Sequence, residues 1–404
     1  MKKQPQFDNI VTYAETMLKT IDEQPFNVVD NVILAFCAHF HFPTNVAGVC
    51  DERGVRLQEL FRAECFDDMF TSVWNPAACK RMFTAMCASP RFRDVVVKNF
   101  VDRYDEHVEK QFAAVTYQFG DKLCYVAFRG TDSTFVGWKE DFNMAFSTVV
   151  PAQLDAVRYL SDVAERTQGG IYLCGHSKGG NLAVYAAAFC VPEVQQRILG
   201  VRNFDGPGFT QQVISQTGFA RILPRVRTYL PRSSVVGMLL EHEEAFTIVE
   251  SRSVGIYQHN VYQWEIARGG FVELQQLSAS SQLMDRALKD WVAAMPAEDR
   301  GRVINGLYAA LSATQAETVR DVREHRKLAA LKAVMDLDPE TRALTLQAAR
   351  LLYQSLRRSM PQKDMRDVLE KLPIGALLDR LPFGGREDKD AKNESAEKTT
   401  RKSM

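Results

Sequence analysis

The sequence predicts an α/β fold in which helices cover a mostly parallel central sheet. Two apolar runs, 112–119 and 122–128, flank a Gly-Asp dipeptide and predict a β-hairpin, because that turn needs a positive φ. From residue 151 onward, helical and strand-like patterns alternate. This alternation is typical of parallel strands joined by crossover helices.

The elements can be assigned in chain order. Residues 1–110 are predicted as a helical region packing on the core, since apolar residues such as Ile10, Ala14 and Met17 recur at helical spacing. Residues 111–275 form the predicted α/β core. Its expected elements are an amphipathic helix opening at Pro151, a strand at 171–174, a small-residue helix at 178–190, and strands at 201–204, 226–230 and 246–249.

The remainder of the chain has no strand pattern. Residues 276–375 repeat apolar positions at helical spacing and predict a helical extension. Residues 376–404 are predicted as a disordered charged tail. From Arg386 onward this tail lacks Leu, Ile, Val and Phe, so it buries too little apolar surface to offset the entropy of ordering.

Composition excludes several classes of protein. The 404 residues are 46% hydrophobic and 25% charged, the proportions of a soluble globular chain. Fifty basic residues balance fifty acidic ones, so the basic excess of a nucleic-acid-binding protein is absent. No apolar run approaches the roughly 18 residues that would span a bilayer. We therefore expect no nucleic-acid partner and no transmembrane segment.

The cysteines and histidines indicate neither a metal site nor an exported protein. None of the eight cysteines forms a C-x-x-C pair, and the start of the chain lacks a signal-peptide core. We expect buried, reduced thiols and a cytoplasmic protein. His39 and His41 have no further ligands at useful spacing, and no glycine loop for phosphate or dinucleotide is present. No metal and no cofactor are expected.

The strongest local signal surrounds Ser177. The run at 171–174 leads through Gly-His-Ser-Lys-Gly into an alanine-rich helix. Gly-x-Ser-x-Gly between a strand and a helix is typical of a nucleophile elbow, in which Gly175 and Gly179 avoid clashes at a strained turn. The turn would also place the hydroxyl at the positive end of the helix dipole. We expect Ser177 to be a nucleophile; the alternative is a glycine-rich turn in a non-catalytic α/β fold.

A second feature lies upstream, where an apolar strand ends in Arg129-Gly-Thr131-Asp132. The backbone N–H of Thr131, and its hydroxyl, could bind a developing oxyanion. The second donor would be the N–H of Lys178, the residue after the nucleophile. The alternative is a structural loop in which Arg129 pairs with Asp132, and we expect that ion pair, and a structural role for Asp141, even if the loop is catalytic.

These two segments carry a family resemblance. Phe-Arg-Gly-Thr-Asp together with Gly-His-Ser-x-Gly-Gly-Asn-Leu-Ala resembles the class 3 lipases. With Asn-Phe-Asp-Gly-Pro-Gly-Phe and Ser-Val-Val-Gly-Met-Leu-Leu, the chain is still more similar to a bacterial lipase-like family known mainly as a domain of unknown function. The resemblance covers about residues 25–270. It implies an α/β-hydrolase fold with a serine nucleophile, and it does not define a substrate.

The base should be a histidine downstream of the nucleophile and the acid. His242, His259 and His325 follow Ser177 in the chain. His259 lies beyond the strand at 246–249, and the resemblance indicates the same residue; the alternative is a hydrogen-bonded core histidine. His242 is flanked by charges and is predicted to be solvated. His176 should be directed elsewhere by the alternation of its strand.

The acid is less well defined by the sequence. Class 3 lipases carry an aspartate after the strand that corresponds to 226–230, but here serines such as Ser234 follow that strand. Asp205 ends the preceding strand, in surroundings that resemble the acid of pancreatic-type lipases. Asp205 would hold the tautomer of His259 and stabilise its imidazolium. The alternatives are a turn aspartate bonded to its own loop, or an acid supplied by Glu241, Glu243 or Glu244.

The sequence thus predicts a lipase- or esterase-like serine hydrolase with a Ser-His-Asp triad, acting on a small-molecule ester or lipid. A lid is expected in residues 138–150 or in the N-terminal helices. One alternative is an inactive hydrolase-like interaction module that binds a protein through its C-terminal helices. Another is a thioesterase or peptidase with the same triad.

Overall fold

The computed structural model describes residues 8–312 and 332–359, apart from gaps at 72, 74, 106, 108–109, 121–122, 132–139, 141–142, 145–148, 254, 280–281, 284–285, 287–289 and 291–293. The chain divides into two compact units: residues 1–289 with 317–319, and residues 290–316 with 320–404. The sequence places the corresponding boundary at 275. Residues just beyond it remain tied to the first unit, because the Ser278 N–H donates to the Arg232 carbonyl over 2.8 Å.

A mixed sheet forms the centre of the first unit. Within the described residues it has nine strands in the order β1-β2-β3-β4-β5-β6-β7-β8-β11, and β9 pairs with β10 separately. The strands are β1 Val55–Arg56, β2 Val96–Asp105, β3 Lys110–Phe119, β4 Leu123–Phe128, β5 Gly170–His176, β6 Ile198–Phe204, β7 Val226–Pro231, β8 Phe246–Val249, β9 Ile266–Ala267, β10 Gly270–Phe271 and β11 Glu273–Leu274.

Strands β4 to β8 run parallel, whereas β1 to β4 pair antiparallel and β11 joins β8 antiparallel. The predicted hairpin is β3 and β4, with Gly120 at φ 54° in the turn. A parallel centre with crossover helices and a serine turn after β5 is the α/β-hydrolase arrangement, so the predicted fold class is confirmed.

Helices flank the sheet and continue beyond it. Among the described residues, the α-helices with defined bounds are α1 Ile10–Thr16, α2 Val28–Cys37, α3 Phe66–Met69, α4 Pro76–Ala88, α5 Pro151–Arg166, α6 Lys178–Phe189, α7 Pro192–Arg197, α8 Gln211–Ile214, α9 Thr217–Ile222, α10 Ala297–Ser312 and α11 Pro339–Ser359. Short 3-10 helices are Leu57–Leu60, Ala63–Cys65, Leu223–Arg225, Gly255–His259 and Val261–Gln263.

The sheet is buried on both faces. Along β4, Tyr125 and Ala127 pack into a cluster shared with α1, α2 and α4, whereas Cys124, Val126 and Phe128 pack into a second cluster with α5 and α6. All five side chains are buried. Double coverage explains why these strands read as continuous apolar runs rather than alternating ones.

A buried ion pair joins the N-terminal helices. The side chains of Asp30, in α2, and Arg91 are both fully buried and form two hydrogen bonds, of 2.7 and 2.5 Å. The Tyr13 hydroxyl of α1 donates to Asp30 over 3.1 Å, and Arg91 also donates to the Lys19 and Gln24 carbonyls. The pair therefore connects two helices and the segment that precedes β2.

Strand β2 lies inside the segment predicted as helical, 1–110. It pairs antiparallel with β3, from Val96 opposite Gln118 to Asp105 opposite Lys110. Charged and polar residues interrupt its apolar residues, which obscured the strand pattern. Pairing with β3 satisfies the backbone groups of the segment, and this tertiary contact decides its conformation.

The second unit contains α10 and α11. Met295, Val303 and Ala348 form its small apolar core, and Arg302 bonds to Glu340. Among the described residues, no helix is both long and apolar enough to cross a bilayer. The predicted tail at 376–404 lies outside the described residues.

Candidate active site

Ser177 occupies a strained turn between β5 and α6. Its backbone has φ 59° and ψ −132°, a conformation that non-glycine residues rarely adopt. Such strain costs about 1–3 kcal/mol and persists where the surrounding structure enforces it, often at functional sites. The residue is 8% exposed and caps the N-terminus of α6.

The two elbow glycines permit close backbone approach. A Cβ on Gly175 would lie 2.1 Å from the carbonyl of Gly179, and a Cβ on Gly179 would lie 2.1 Å from the carbonyl oxygen of Phe128. Strand β5 therefore approaches the start of α6 only if Gly175 lacks a side chain, and α6 packs against the end of β4 only if Gly179 lacks one.

This packing predicts that Gly179→Ala destabilises the protein. Strand β4 or helix α6 must move to relieve the clash, and overpacking of this kind costs about 1–3 kcal/mol. Thermal unfolding measures the effect. Gly270→Ala is the control, because its Cβ would meet nothing within 4 Å. Equal unfolding temperatures for the two variants would contradict the proposed backbone contact.

Asp205 and His259 are hydrogen-bonded although 54 residues separate them. Asp205 follows β6, has φ 51° and is fully buried. His259 ends the 3-10 helix Gly255–His259 and is 7% exposed. Its Nδ1 lies 2.6 Å from Asp205 Oδ2. Because an ionised carboxylate only accepts, Nδ1 carries the proton and Nε2 of the neutral ring keeps a lone pair.

The loop after β7 fixes the other oxygen of Asp205. The Ser234 hydroxyl donates to Oδ1 over 2.5 Å, and the Gly237 N–H donates to the same oxygen over 3.2 Å. These donors come from a neighbouring strand's loop, so Asp205 is not a turn aspartate bonded only to its own Gly-Pro-Gly segment. Sequence reasoning did not predict either donor, because both serve a residue on another strand.

The three alternative glutamates have other environments. Glu244 accepts from the Thr228 hydroxyl over 2.5 Å and lies 2.8 Å from His242 Nδ1. Glu241 pairs its backbone with Phe209, and Glu243 is exposed. The prediction that His242 is solvated is wrong: its side chain is 7% exposed, because it contacts Glu244 and the β7–β8 loop.

His176 lies against His259, contrary to the prediction that it is directed elsewhere. Its Nε2 donates to the backbone carbonyl of His259 over 2.8 Å, and the two ring centroids are 4.5 Å apart. Burial, with His259 and His39 nearby, holds the pKa of His176 well below its usual range. His176 is therefore neutral, and it supports the segment that carries His259.

The predicted oxyanion loop approaches the serine. A Cβ on Gly130 would lie 3.1 Å from the Ser177 Cβ and 2.6 Å from the His176 carbonyl oxygen, so the loop that includes Thr131 packs directly on the elbow. Lys178 supplies the backbone N–H that follows Ser177. Its buried ammonium group contacts Glu140 Oε2 at 2.8 Å and so anchors the first turn of α6.

Arg129 forms an ion pair with a residue that sequence reasoning did not name. It donates to both carboxylate oxygens of Asp102, over 2.7 and 2.6 Å, and His41 contacts the same carboxylate at 2.9 Å. Asp102 in β2 lies beside the end of β4, a proximity that only strand pairing creates. The predicted partner Asp132 lies outside the described residues, as do Asp141 and most of the lid candidate at 138–150.

The family comparison covers the serine turn and the Asp205–His259 pair. The sequence model of the Mbeg1-like family matches residues 86–309, more than half of the 404-residue chain. The chain belongs to the Mbeg1-like family. The matched span of this Mbeg1-like chain contains Ser177, Asp205 and His259 and begins after α1 and α2. The lipase-like relationship predicted from the motifs is confirmed, although the match begins later than residue 25.

The Mbeg1-like chain also has distant structural neighbours. They include a fungal lipase–inhibitor complex (15% identity, 43% of this chain, 70% of that chain, TM-score 0.32). A Rhizomucor miehei lipase propeptide complex is 14% identical, and the match covers 46% of this chain and 70% of that chain with a TM-score of 0.33. A mutant form of MDLA from Penicillium cyclopium is 11% identical, and the match covers 60% of this chain and 83% of that chain with a TM-score of 0.34. No curated protein matches the chain in sequence.

No metal centre is found in the part of this Mbeg1-like chain that the structure describes. Among those residues, no group of three or more His, Cys, Asp or Glu side chains could hold a metal ion. His41, a residue of the His-Phe-His segment, contacts Asp102 instead. All eight cysteines are free thiols; six are buried, Cys65 is half-buried and Cys50 is exposed.

Proposed function

We propose that this Mbeg1-like protein is a serine hydrolase that cleaves a carboxylic ester through Ser177, His259 and Asp205. The observation that supports this most is the 2.6 Å contact between His259 and a fully buried Asp205, which follows the strand next to the serine turn. A strained serine and an oriented imidazole at one sheet edge are the components that nucleophilic catalysis requires.

The proposed reaction begins with proton transfer. Nε2 of His259 takes the proton of the Ser177 hydroxyl as Oγ attacks the ester carbonyl carbon, and Asp205 stabilises the imidazolium that forms. The backbone N–H groups of Lys178 and Thr131 bind the oxyanion. His259 then donates its proton to the departing alkoxide, leaving an acyl-enzyme. A water molecule, deprotonated by the same imidazole, attacks the acyl carbon. The bond to Ser177 Oγ then breaks as the imidazolium returns the proton to that oxygen, and the acid is released.

The inactive interaction module is less well supported. This alternative is suggested by the absence of a carboxylate after β7, where class 3 lipases place their acid. In this chain Asp205 reaches His259 from β6, while Ser234 in the loop after β7 donates to that carboxylate. An ester is favoured over a thioester or peptide by the class 3 resemblance alone, so substrate panels must include all three.

A fluorophosphonate probe tests the proposal. The wild-type protein should be labelled on the peptide that contains Ser177, and Ser177→Ala should abolish both labelling and hydrolysis of p-nitrophenyl esters of graded chain length. Ser215→Ala is the matched control, since Ser215 is exposed at the end of α8 and should leave labelling intact. Labelling that persists in Ser177→Ala, or a wild type that is never labelled, would overturn the assignment.

A further inference from the structure

A second histidine–carboxylate pair adjoins the first one. His242 Nδ1 lies 2.8 Å from Glu244 Oε1, and the two side chains are 7% and 2% exposed. The Thr228 hydroxyl, in β7, donates to the same glutamate oxygen over 2.5 Å. The proposed chemistry leaves this buried pair without a role.

The backbone of Gly237 links the two pairs through the two peptide units that flank its Cα. His242 Nε2 contacts the Gly237 carbonyl oxygen at 2.5 Å, while the Gly237 N–H donates to Asp205 Oδ1. A Cβ on Gly237 would lie 2.3 Å from that Oδ1 and 2.9 Å from the Ser234 hydroxyl oxygen. Only a glycine lets the backbone approach the carboxylate this closely, so the position of this residue directly affects Asp205.

The contacts define one donor of His242. The Gly237 carbonyl oxygen can only accept, so Nε2 of His242 carries a proton. Burial alone would raise the pKa of Glu244, but the hydrogen bonds from His242 and Thr228 bring it below its usual range. Glu244 is therefore ionised, and Nε2–H of His242 donates to the Gly237 carbonyl oxygen.

We propose that His242 is a positioning residue for the candidate active site. Through its Nε2–H it holds the Gly237 carbonyl, and this keeps the Gly237 N–H on Asp205 Oδ1. The carboxylate is thereby oriented so that Oδ2 receives the Nδ1–H of His259. The inference rests on the proposed function, because it assigns His242 to the same triad.

Two amide substitutions distinguish the two hydrogen bonds of His242, because each reproduces the position of one ring nitrogen. In His242→Gln, the amide nitrogen reaches the position of Nε2 and keeps the hydrogen bond to the Gly237 carbonyl oxygen. In His242→Asn, the shorter side chain places its amide nitrogen at the position of Nδ1, so only the hydrogen bond to Glu244 is kept. We expect His242→Asn to lower kcat for an activated ester about 10- to 100-fold, with KM within about twofold of wild type. His242→Gln should stay within about threefold.

Stability is controlled within the same series. Both variants are compared by thermal unfolding, and each is also made in a Glu244→Gln background, which removes the buried charge that loses its partner. Equal kcat values for the asparagine and glutamine variants at equal stability would overturn the proposal. So would a loss confined to KM.

A proton NMR measurement separates this inference from the proposed function. The Nδ1–H of His259, bonded to Asp205, gives a downfield resonance that is identified by its absence in His259→Gln. We expect this resonance to shift or broaden in His242→Asn and to remain in His242→Gln. If the wild type hydrolyses no ester, the proposed function fails, yet the resonance still decides whether His242 orients the pair. An identical resonance in both variants would refute the positioning role.

Discussion

Replacing Asp205 with asparagine is expected to lower kcat for ester hydrolysis about 10⁴-fold. This corresponds to about 5.5 kcal/mol of lost transition-state stabilisation. Ser234 and Gly237 both donate to Oδ1, so the asparagine turns its carbonyl oxygen toward them and its NH₂ group toward His259. Nδ1 of His259 then accepts a hydrogen bond and the ring proton moves to Nε2. That nitrogen can no longer take the proton of Ser177.

The kinetic comparison needs a neutral control. Asp162→Asn removes a carboxylate that is exposed on α5, and it should leave kcat and KM unchanged. Because asparagine matches aspartate in shape, KM of Asp205→Asn should also stay close to wild type, so the loss falls on kcat. An Asp205→Asn variant that keeps more than about a tenth of the activity would mean that another group orients His259.

Replacing Asp30 with alanine is expected to cost about 3–5 kcal/mol of unfolding free energy, the largest stability effect that we predict. The substitution leaves the Arg91 guanidinium buried without a counter-charge and removes the acceptor of the Tyr13 hydroxyl. Urea unfolding followed by tryptophan fluorescence measures the loss. Because this pair joins α1 and α2 to the segment before β2, the helical layer beside the sheet should loosen first.

An exposed ion pair provides the comparison for Asp30→Ala. Asp51 and Arg53 are bonded, but solvent reaches both side chains, so Asp51→Ala should leave the unfolding free energy nearly unchanged. The double variant Asp30→Leu/Arg91→Met should recover part of the loss, since no unpaired charge remains buried. Equal losses for Asp30→Ala and Asp51→Ala would show that the buried pair has no special importance.

The location of Asp205, the proposed acid, departs from the class 3 pattern. In that pattern the carboxylate follows the strand equivalent to β7, whereas here that strand leads into Ser234 and Gly237. Strands β6 and β7 are neighbours in the sheet, so a carboxylate after β6 and two donors after β7 meet at one edge. The combination of Asp205 with the Ser-Val-Val-Gly segment is therefore a single structural unit.

Much of the local structure could be predicted from the sequence. The β3–β4 hairpin, the serine turn and the helix that opens at Pro151 depend on residues a few positions apart and on backbone conformations that glycine or proline favours. The expected neighbourhood of Asp205 and His259 also came from chain order, because loops that follow parallel strands meet at one edge. Strand β2 was not predicted, since its mixed polar and apolar residues form a strand only because its backbone pairs with β3.

The sequence by itself determined the α/β class, the strained position of Ser177 and a short set of carboxylates and histidines that could serve it. Only the tertiary structure decided that Asp205 faces His259, that Arg129 pairs with Asp102, and that the side chains of His176 and His242 are buried. The physical reason is distance along the chain. Turns and helix ends are governed by neighbouring residues, whereas these polar contacts join residues 27 to 83 positions apart or pass through the backbone of Gly237. Strand order and burial bring them together, and neither is encoded in any single segment.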